Sequence, residues 1–463
     1  TGSAAIEAFR GLANVDVFIL FPHGRVSEVQ RRQMTTPSEP NVRAVAIDGD
    51  FDDAQARVKD LFNDHAFRDA ADRVLSRHGD RALQYSATEG YRPLREWIVT
   101  QMARYGIESA PENVLITSGS QQALDLIGKI MINPGDLILT ERPSYMGALQ
   151  AWRAYQADFV SVPVDDDGLR VELLEEALCA GPKFMYILPN FQNPGGVTLS
   201  LARRRQLIEI ADRYGVPIIE DDPYGELRYE GEHLPPLVVI DAERMKHHSL
   251  RAPNGGDYYA HEHTPGNGRA YMRGNVIYLS TFSKTLAPGL RLAWLVAPVE
   301  VVQRCVIAKQ GMDLHTATLN QMIAHEILTG GDGNFLDTHV RLIRSVYRER
   351  RDAMLSAMEA YFPESVRWTT PHGGLFLWVT LPEGLDAAEL LKDALAHKVA
   401  YVPGGAFHPD GDGHNTLRLN FSLCDPQRIE TGIRRLGEVF AQAIESHKEE
   451  MELVPVGSGL SSS

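Results

Sequence analysis

The sequence predicts an α/β fold: a large domain on a mainly parallel sheet with helices on both faces, then a smaller α+β domain. Two observations predict it. From about residue 94 to 300, short β-rich runs alternate with helical patterns, the rhythm of strands joined through helices. After about residue 330 that rhythm stops, and a long helical repeat leads into isolated strand patterns.

In chain order the strand runs are Val114-Leu115-Ile116-Thr117, Leu137-Ile138-Leu139, Phe184-Met185-Tyr186-Ile187-Leu188, Val216-Pro217-Ile218-Ile219 and Val276-Ile277-Tyr278-Leu279. Among the helical stretches, Leu201 to Tyr214 puts Leu207, Ile208 and Ala211 on one face. Residues 241–275 break the pattern: Gly255-Gly256, clustered His and little apolar periodicity read as a long surface insertion, a flexible loop before a lid or a subunit contact. Val340, Ile343, Tyr347, Met354, Leu355 and Met358 recur at helical spacing, a long helix leaving the large domain. Phe376-Leu377-Trp378-Val379 and Leu417-Arg418-Leu419-Asn420-Phe421 are strands of the second domain. The domains are thus residues 1–93 as an N-terminal segment, 94–330 as the large domain, 331–450 as the small domain and 451–463 as a disordered tail.

Length and composition narrow the function. The chain has 463 residues, 44% hydrophobic and 23% charged, enough for a large core. With 46 basic against 61 acidic residues its net charge is -15, which argues against nucleic acid as a main partner. Cys179, Cys305 and Cys424 are far apart in sequence and form no metal-type cluster, as expected of a reducing compartment. No run approaches the roughly 20 apolar residues that span a bilayer. The expectation is a cytoplasmic protein with no membrane partner.

Four motifs carry chemistry. In Ser280-Thr281-Phe282-Ser283-Lys284-Thr285-Leu286-Ala287-Pro288-Gly289-Leu290-Arg291 a lysine follows an apolar strand, at the strand end where open α/β sheets bind ligands. Such an amine can form a Schiff base when desolvated or held near cations. Arg291, beyond a Pro-Gly turn, suits a phosphate; the plain alternative is a surface lysine and a structural arginine. Ile219-Glu220-Asp221-Asp222-Pro223-Tyr224 places carboxylates at the end of a buried strand, where they need a cation or a metal. A pyridinium nitrogen is such a cation, and a neighbouring carboxylate keeps it protonated. An ion-paired loop is the alternative, and no His lies close by in sequence to complete a metal set.

Leu188-Pro189-Asn190-Phe191-Gln192-Asn193-Pro194-Gly195-Gly196 follows another strand. It points an amide inward to meet a phenolate oxygen, with Tyr224 as a second donor, or it is simply a turn. Thr117-Ser118-Gly119-Ser120-Gln121-Gln122 runs from strand through glycine into helix. That makes either a phosphate cradle of free N–H groups and hydroxyls or a helix capped by Ser118 or Ser120. The dinucleotide and Walker fingerprints are absent.

Taken together in the order 118, 145, 193, 221, 284, 291, these residues resemble the class I/II aminotransferase family, fold-type I enzymes of pyridoxal 5'-phosphate, from about Tyr85 to Arg435. The Ser-Lys-Thr-Leu-Ala-Pro-Gly-Leu-Arg-Leu string is similar to the branch of 2-aminoadipate, kynurenine and aromatic aminotransferases. The resemblance implies a large domain with a seven-stranded type of sheet and a reaction exchanging the amino group between an L-amino acid and a 2-oxo acid. It implies that Lys284 carries the cofactor and shuttles the proton, that Asp221 pairs with the ring nitrogen, and that Asn193 and Tyr224 bond the phenolic oxygen. Tyr145 would stack on the ring; Ser120, Gln121, Thr281 or Ser283, and Arg291 would hold the phosphate. Tyr85 would reach the phosphate of a neighbouring subunit, making a homodimer with shared active sites, with the N-terminal segment in its contacts. Arg418 would clamp the substrate α-carboxylate, with Asn193 and Gly49 also against the substrate.

Two departures stand out. The usual Gly-Gly segment near the N-terminus is replaced by Ala46-Ile47-Asp48-Gly49-Asp50-Phe51, and 241–275 is inserted. Both fall where the substrate pocket and its cover are expected. The other readings are replacement, cyclisation or oxidative chemistry on the same cofactor, and a non-catalytic regulator domain. The first 80 residues show no basic helix-turn-helix pattern to support that last one.

Overall fold

The structure, a computed structural model, describes residues 64–251 and 274–453; Gly49, most of the 241–275 insertion and the tail from 454 lie outside the described residues. In order, the helices are α1 Asp64–Ala82, α2 Arg92–Arg104, α3 Ser120–Met131, α4 Met146–Arg153, α5 Leu174–Leu178, α6 Leu201–Tyr214, α7 Leu237–Arg251, α8 Val299–Gln310, α9 Thr318–Thr329, α10 Phe335–Tyr361, α11 Ala387–Ala396 and α12 Pro426–Leu453. The strands are β1 Val114–Thr117, β2 Leu137–Arg142, β3 Asp158–Asp165, β4 Gly168–Leu169, β5 Met185–Ile187, β6 Ile218–Asp221, β7 Val276–Thr281, β8 Ala293–Val296, β9 Arg367–Trp368, β10 Phe376–Thr380, β11 Val402–Pro403 and β12 Thr416–Asn420.

The chain divides into two compact units. The larger contains the described residues up to Val346 together with Pro371–Gly374. Its sheet has the order β1-β8-β7-β6-β5-β2-β3-β4, the seven-stranded type extended by the two-residue β4 at one edge. β7, β6, β5, β2 and β3 are parallel neighbours, whereas β8 runs antiparallel to both β7 and β1. The carboxyl ends of β1, β2, β5, β6 and β7 therefore share one edge of the sheet.

Alternation along each strand feeds two cores. Ile116, Met185, Ile218, Val276 and Trp294 join one cluster, with residues of α2, α6 and α7. Leu115, Tyr186, Ile219, Ile277 and Leu295 join the other, with α3, α4 and α8. Successive side chains point to opposite faces, so a sheet covered on both sides must be apolar throughout. Each fully buried aliphatic side chain contributes roughly 1.5–3 kcal/mol.

Several elements differ from the sequence reading. β3 and β8 were not among the runs: β3 lies near the sheet edge with charged, exposed ends, and β8 is four residues long directly behind the lysine motif. β6 begins at Ile218 rather than Val216, because Pro217 has no N–H for the ladder, although its carbonyl accepts from Met185 N at 2.9 Å. The segment expected as a loop from 241 begins as helix, since α7 runs to Arg251 on an anchor of buried Leu237 and Val238.

The smaller unit contains Tyr347–Thr370 and the residues from Leu375 on. Its antiparallel sheet has the order β11-β12-β10-β9. Leu377, Val379, Leu417 and Leu419 share one face, while Phe376, Trp378 and Arg418 share the other. Asp386 caps α11, accepting from Ala388 N at 2.6 Å. Ile429, Ile433, Leu436 and Phe440 give α12 its buried stripe.

Candidate active site

Register brings the large-unit motifs together. Thr117 at the end of β1 and Thr281 at the end of β7 both pair with Ala293 of β8, and Asp221 at the end of β6 pairs with Leu279 of β7. The loops carrying Ser118–Gln121, Ser283–Arg291 and Asp222–Tyr224 thus leave β1, β7 and β6 at the same edge of the sheet.

Three successive acids, Glu220 and Asp221 ending β6 and Asp222 just beyond it, are separated by their partners. Glu220 accepts from Leu237 N and Val238 N at 2.8 and 2.9 Å, holding the start of α7. Asp222 accepts from Gly225 N at 2.9 Å and from the Tyr278 hydroxyl at 3.3 Å, closing the turn. Asp221 faces the other way. Its Oδ2 accepts from the Tyr186 hydroxyl at 2.7 Å, and its Oδ1 is buried with no hydrogen-bond partner among the described residues. Burial first, and the nearby charge of Asp222, push its carboxyl up to about 7 against the Tyr186 hydrogen bond. A buried, unmatched carboxylate oxygen is costly, and a cationic N–H would satisfy it. Asp221 therefore fits a protonated pyridine ring.

The loop after β5 is tightly held. Arg204, fully buried on α6, donates to the carbonyls of Leu199, Pro189 and Pro235 and, at 2.6 Å, to Asn190 Oδ1. Gln192 Nε2 donates to Pro143 O at 2.7 Å, while its Oε1 accepts from Gly195 N at 2.9 Å. Within this frame Asn193 Nδ2 lies 3.5 Å from the Tyr224 hydroxyl, and both residues are buried. The Tyr145 ring lies against Gly147, where a Cβ would stand 2.5 Å from it. Burial first, then the Asp221 carboxyl and, less, Tyr145, raise Tyr186 well above an ordinary phenol.

The phosphate-cradle motif takes the glycine-capped form. Gly119 is the N-cap of α3 with φ +92°, and no side chain caps it, so the Ser118 and Ser120 capping alternative is not realised. The N–H groups of Ser120 and Gln121 are among those a helix leaves without intrahelical partners. Arg291 Nη2 occupies the space a Gly119 Cβ would need, so only glycine admits the guanidinium here. Arg291 Nη1 donates to Ser283 Oγ at 3.4 Å. Thr281 Oγ1 donates to Leu292 O and accepts from Ser283 N, both at 3.0 Å, so its hydroxyl is engaged in the turn. The Gln121 side chain reaches Gly147 O at 2.8 Å. Lys284 is half-buried directly after Ser283.

Tyr85 is 81% exposed and packs edge-on against His315, 5.9 Å between centroids. In the smaller unit Arg418 is buried on β12 with its guanidinium carbon 4.1 Å from the Phe376 centroid and 5.0 Å from that of Phe407. Cation–π contact with both rings sets the plane of the guanidinium, whose forked edge suits a carboxylate.

Sequence reasoning missed Tyr186, Gln192 and Arg204. Tyr186 had one signal, a hydroxyl in an otherwise apolar buried strand. Arg204 had none, because a charge within a helix pattern reads as a solvated face.

Residues 57–436 match the family described as Aminotransferase class I and II. Aromatic-amino-acid aminotransferase 1 of Thermococcus litoralis is 44% identical over 82% of this chain and 83% of its own length. 2-Aminoadipate transaminase of Thermus thermophilus is 43% identical over 82% and 86%. Among solved structures, the alpha-aminoadipate aminotransferase of Thermus thermophilus, complexed with N-(5'-phosphopyridoxyl)-L-leucine, superposes with a TM-score of 0.74 at 41% identity, covering 84% of this chain and 90% of that one. With that match over most of its length, the chain belongs to the class I and II aminotransferases, fold type I, and is a pyridoxal 5'-phosphate enzyme that moves an amino group between an amino acid and a 2-oxo acid.

Proposed function

We propose that Lys284 holds the cofactor covalently and carries the proton at the substrate α-carbon, and that the donors are L-amino acids of the aromatic or 2-aminoadipate type. The buried Asp221 Oδ1, without a partner among the described residues and at the same strand edge as Lys284, carries the site assignment. The names of the Thermococcus litoralis and Thermus thermophilus relatives support the donor class.

When bound, pyridoxal phosphate supplies a protonated ring that withdraws electrons from the substrate α-carbon. Asp221, ionised beside that cation, keeps the ring nitrogen protonated. Asn193 and Tyr224 would donate to the phenolic oxygen, and Tyr145 would stack on the ring. Arg291, Ser283 and the N–H groups of Ser120 and Gln121 grip the phosphate; Thr281 shapes their turn. Arg418 binds the α-carboxylate in the plane that Phe376 and Phe407 impose, fixing the α-carbon for proton transfer. Lys284 Nζ then takes and returns that proton as the general base and acid.

We also propose a cytoplasmic homodimer with shared sites. The exposure of Tyr85, with exposed Leu83 and Leu314, supports a subunit contact there, and three cysteines that form no disulfide support a reducing compartment. Among the described residues no helix is long and apolar enough to cross a membrane.

Lys284→Ala tests the assignment. Borohydride treatment of the wild-type enzyme should fix a cofactor adduct on the peptide holding Lys284. The variant should yield none and lose at least about 1,000-fold in turnover, as expected for the covalent and acid–base roles together. An adduct on another lysine overturns the proposal. A screen of amino donors against one 2-oxo acid tests the donor class, and sedimentation velocity tests the dimer.

A further inference from the structure

The N-terminus of α3 is held by a buried cation. Lys309, near the end of α8, has a fully buried side chain, and its ammonium donates to Asp313 Oδ1 and Oδ2 at 2.7 and 2.8 Å and to Gln122 Oε1 at 2.9 Å. Gln122 Oε1 also accepts from Ser118 N at 2.7 Å, and Gln122 Nε2 donates to Asp313 Oδ2 at 2.7 Å. The Ser118 hydroxyl lies 3.1 Å from Asp313 Oδ2 and 3.3 Å from Thr316 Oγ1.

We infer that Lys309 is a positioning residue for the cofactor phosphate, acting through Gln122 and Asp313 on the Ser118–Gly119 backbone. This rests on the site assigned above. A buried ammonium is costly without full pairing, and here its partners converge on the loop that cradles the phosphate. The Lys309 and Ser118 donors together fix the Gln122 amide, so its oxygen takes up the Ser118 N–H. The next N–H groups, of Ser120 and Gln121, are left to the ligand. Gly119 is pressed against the Arg291 guanidinium, so a shift of the loop also displaces the arginine. Loss of Lys309 therefore weakens the phosphate end of the site and leaves the ring end, built by Asp221, Asn193 and Tyr224, as it was.

That separation gives the test. Binding of pyridoxal phosphate and of unphosphorylated pyridoxal is titrated by cofactor absorbance on wild-type enzyme and on Lys309→Met, each stripped of cofactor and reloaded. Pyridoxal phosphate should bind the variant roughly 10- to 100-fold more weakly, the range for charge-assisted hydrogen bonds, while pyridoxal binds both about equally. A variant that keeps the wild-type ratio of the two affinities overturns the inference, even if its melting temperature falls. Should Lys309→Met not fold, Asp313→Asn and Gln122→Glu, both near-isosteric, should narrow the ratio in the same way; an unchanged ratio in both is equally fatal. Wild-type protein that binds neither compound overturns the site assignment and this inference with it.

Discussion

Position 221 shows how one side chain is singled out among three. Glu220, Asp221 and Asp222 are all acidic and all buried, but alternation along β6 turns the outer two toward α7 and the turn and the middle one toward Tyr186. Lys284 and Asp221 were legible in the sequence because each ends an apolar run, where a charge needs a reason to be. Tyr186 was not, because a tyrosine inside an apolar strand reads as core. Its hydrogen bond lowers the Asp221 pKa against burial. Tyr186→Phe should therefore weaken protonation of the cofactor ring. Turnover is expected to fall about tenfold, the size of one charge-assisted hydrogen bond, with the KM for the amino donor nearly unchanged. Steady-state kinetics at saturating cofactor check this, and a pure KM effect would refute it.

Among elements, the loops at the strand ends decide the geometry, and their rigidity comes from residues outside the motifs. The stretch 189–195 is fastened by Arg204 from α6, whose guanidinium is lowered by burial to about 10 and satisfied by three carbonyls and Asn190. Arg204→Met would remove the buried donor that Asn190 Oδ1 and the carbonyls of Leu199 and Pro235 share, while Pro189 O would keep its bond from Leu199 N. The expected loss is on the order of 3 kcal/mol, measured by denaturant unfolding, together with weaker cofactor binding as Asn193 loosens. The helix Leu201–Tyr214 was legible from its apolar face, but that its first-turn arginine points inward was not. β3 and β8 escaped for the related reason that period and composition report burial, and these strands carry either exposed ends or too few residues to show a period.

For the whole molecule, the buried acids set a pH dependence. Glu141 is pushed up to about 8, and Glu220 and Asp221 to about 7, each chiefly by burial. Their ordinary values are 4.5, 4.5 and 3.8. Between those ordinary values and the raised ones, the folded protein holds protons that the unfolded chain has released, so stability falls as pH rises through that window and levels off above it. Beside a bound cationic ring Asp221 would be ionised, and its share of the loss would vanish. The melting temperature of cofactor-loaded enzyme should therefore exceed that of cofactor-free enzyme by an amount that grows from about pH 5 to about pH 7 and then stays level. In Asp221→Asn the difference should not grow with pH; a growing difference there would assign the effect to another group.

By itself the sequence determined the layered α/β class, most parallel strands and the long helix after residue 330. It also marked the candidate residues of the proposed site, because each of these leaves a local trace in apolar period or in a charge at a strand end. Only the tertiary structure decided which of three neighbouring acids keeps an oxygen without a partner, that Arg291 rests on Gly119, and that Lys309 lies beneath Ser118. Those facts depend on strand register and on contacts between residues far apart in sequence, such as Lys309 with Gln122, and no local pattern encodes such contacts.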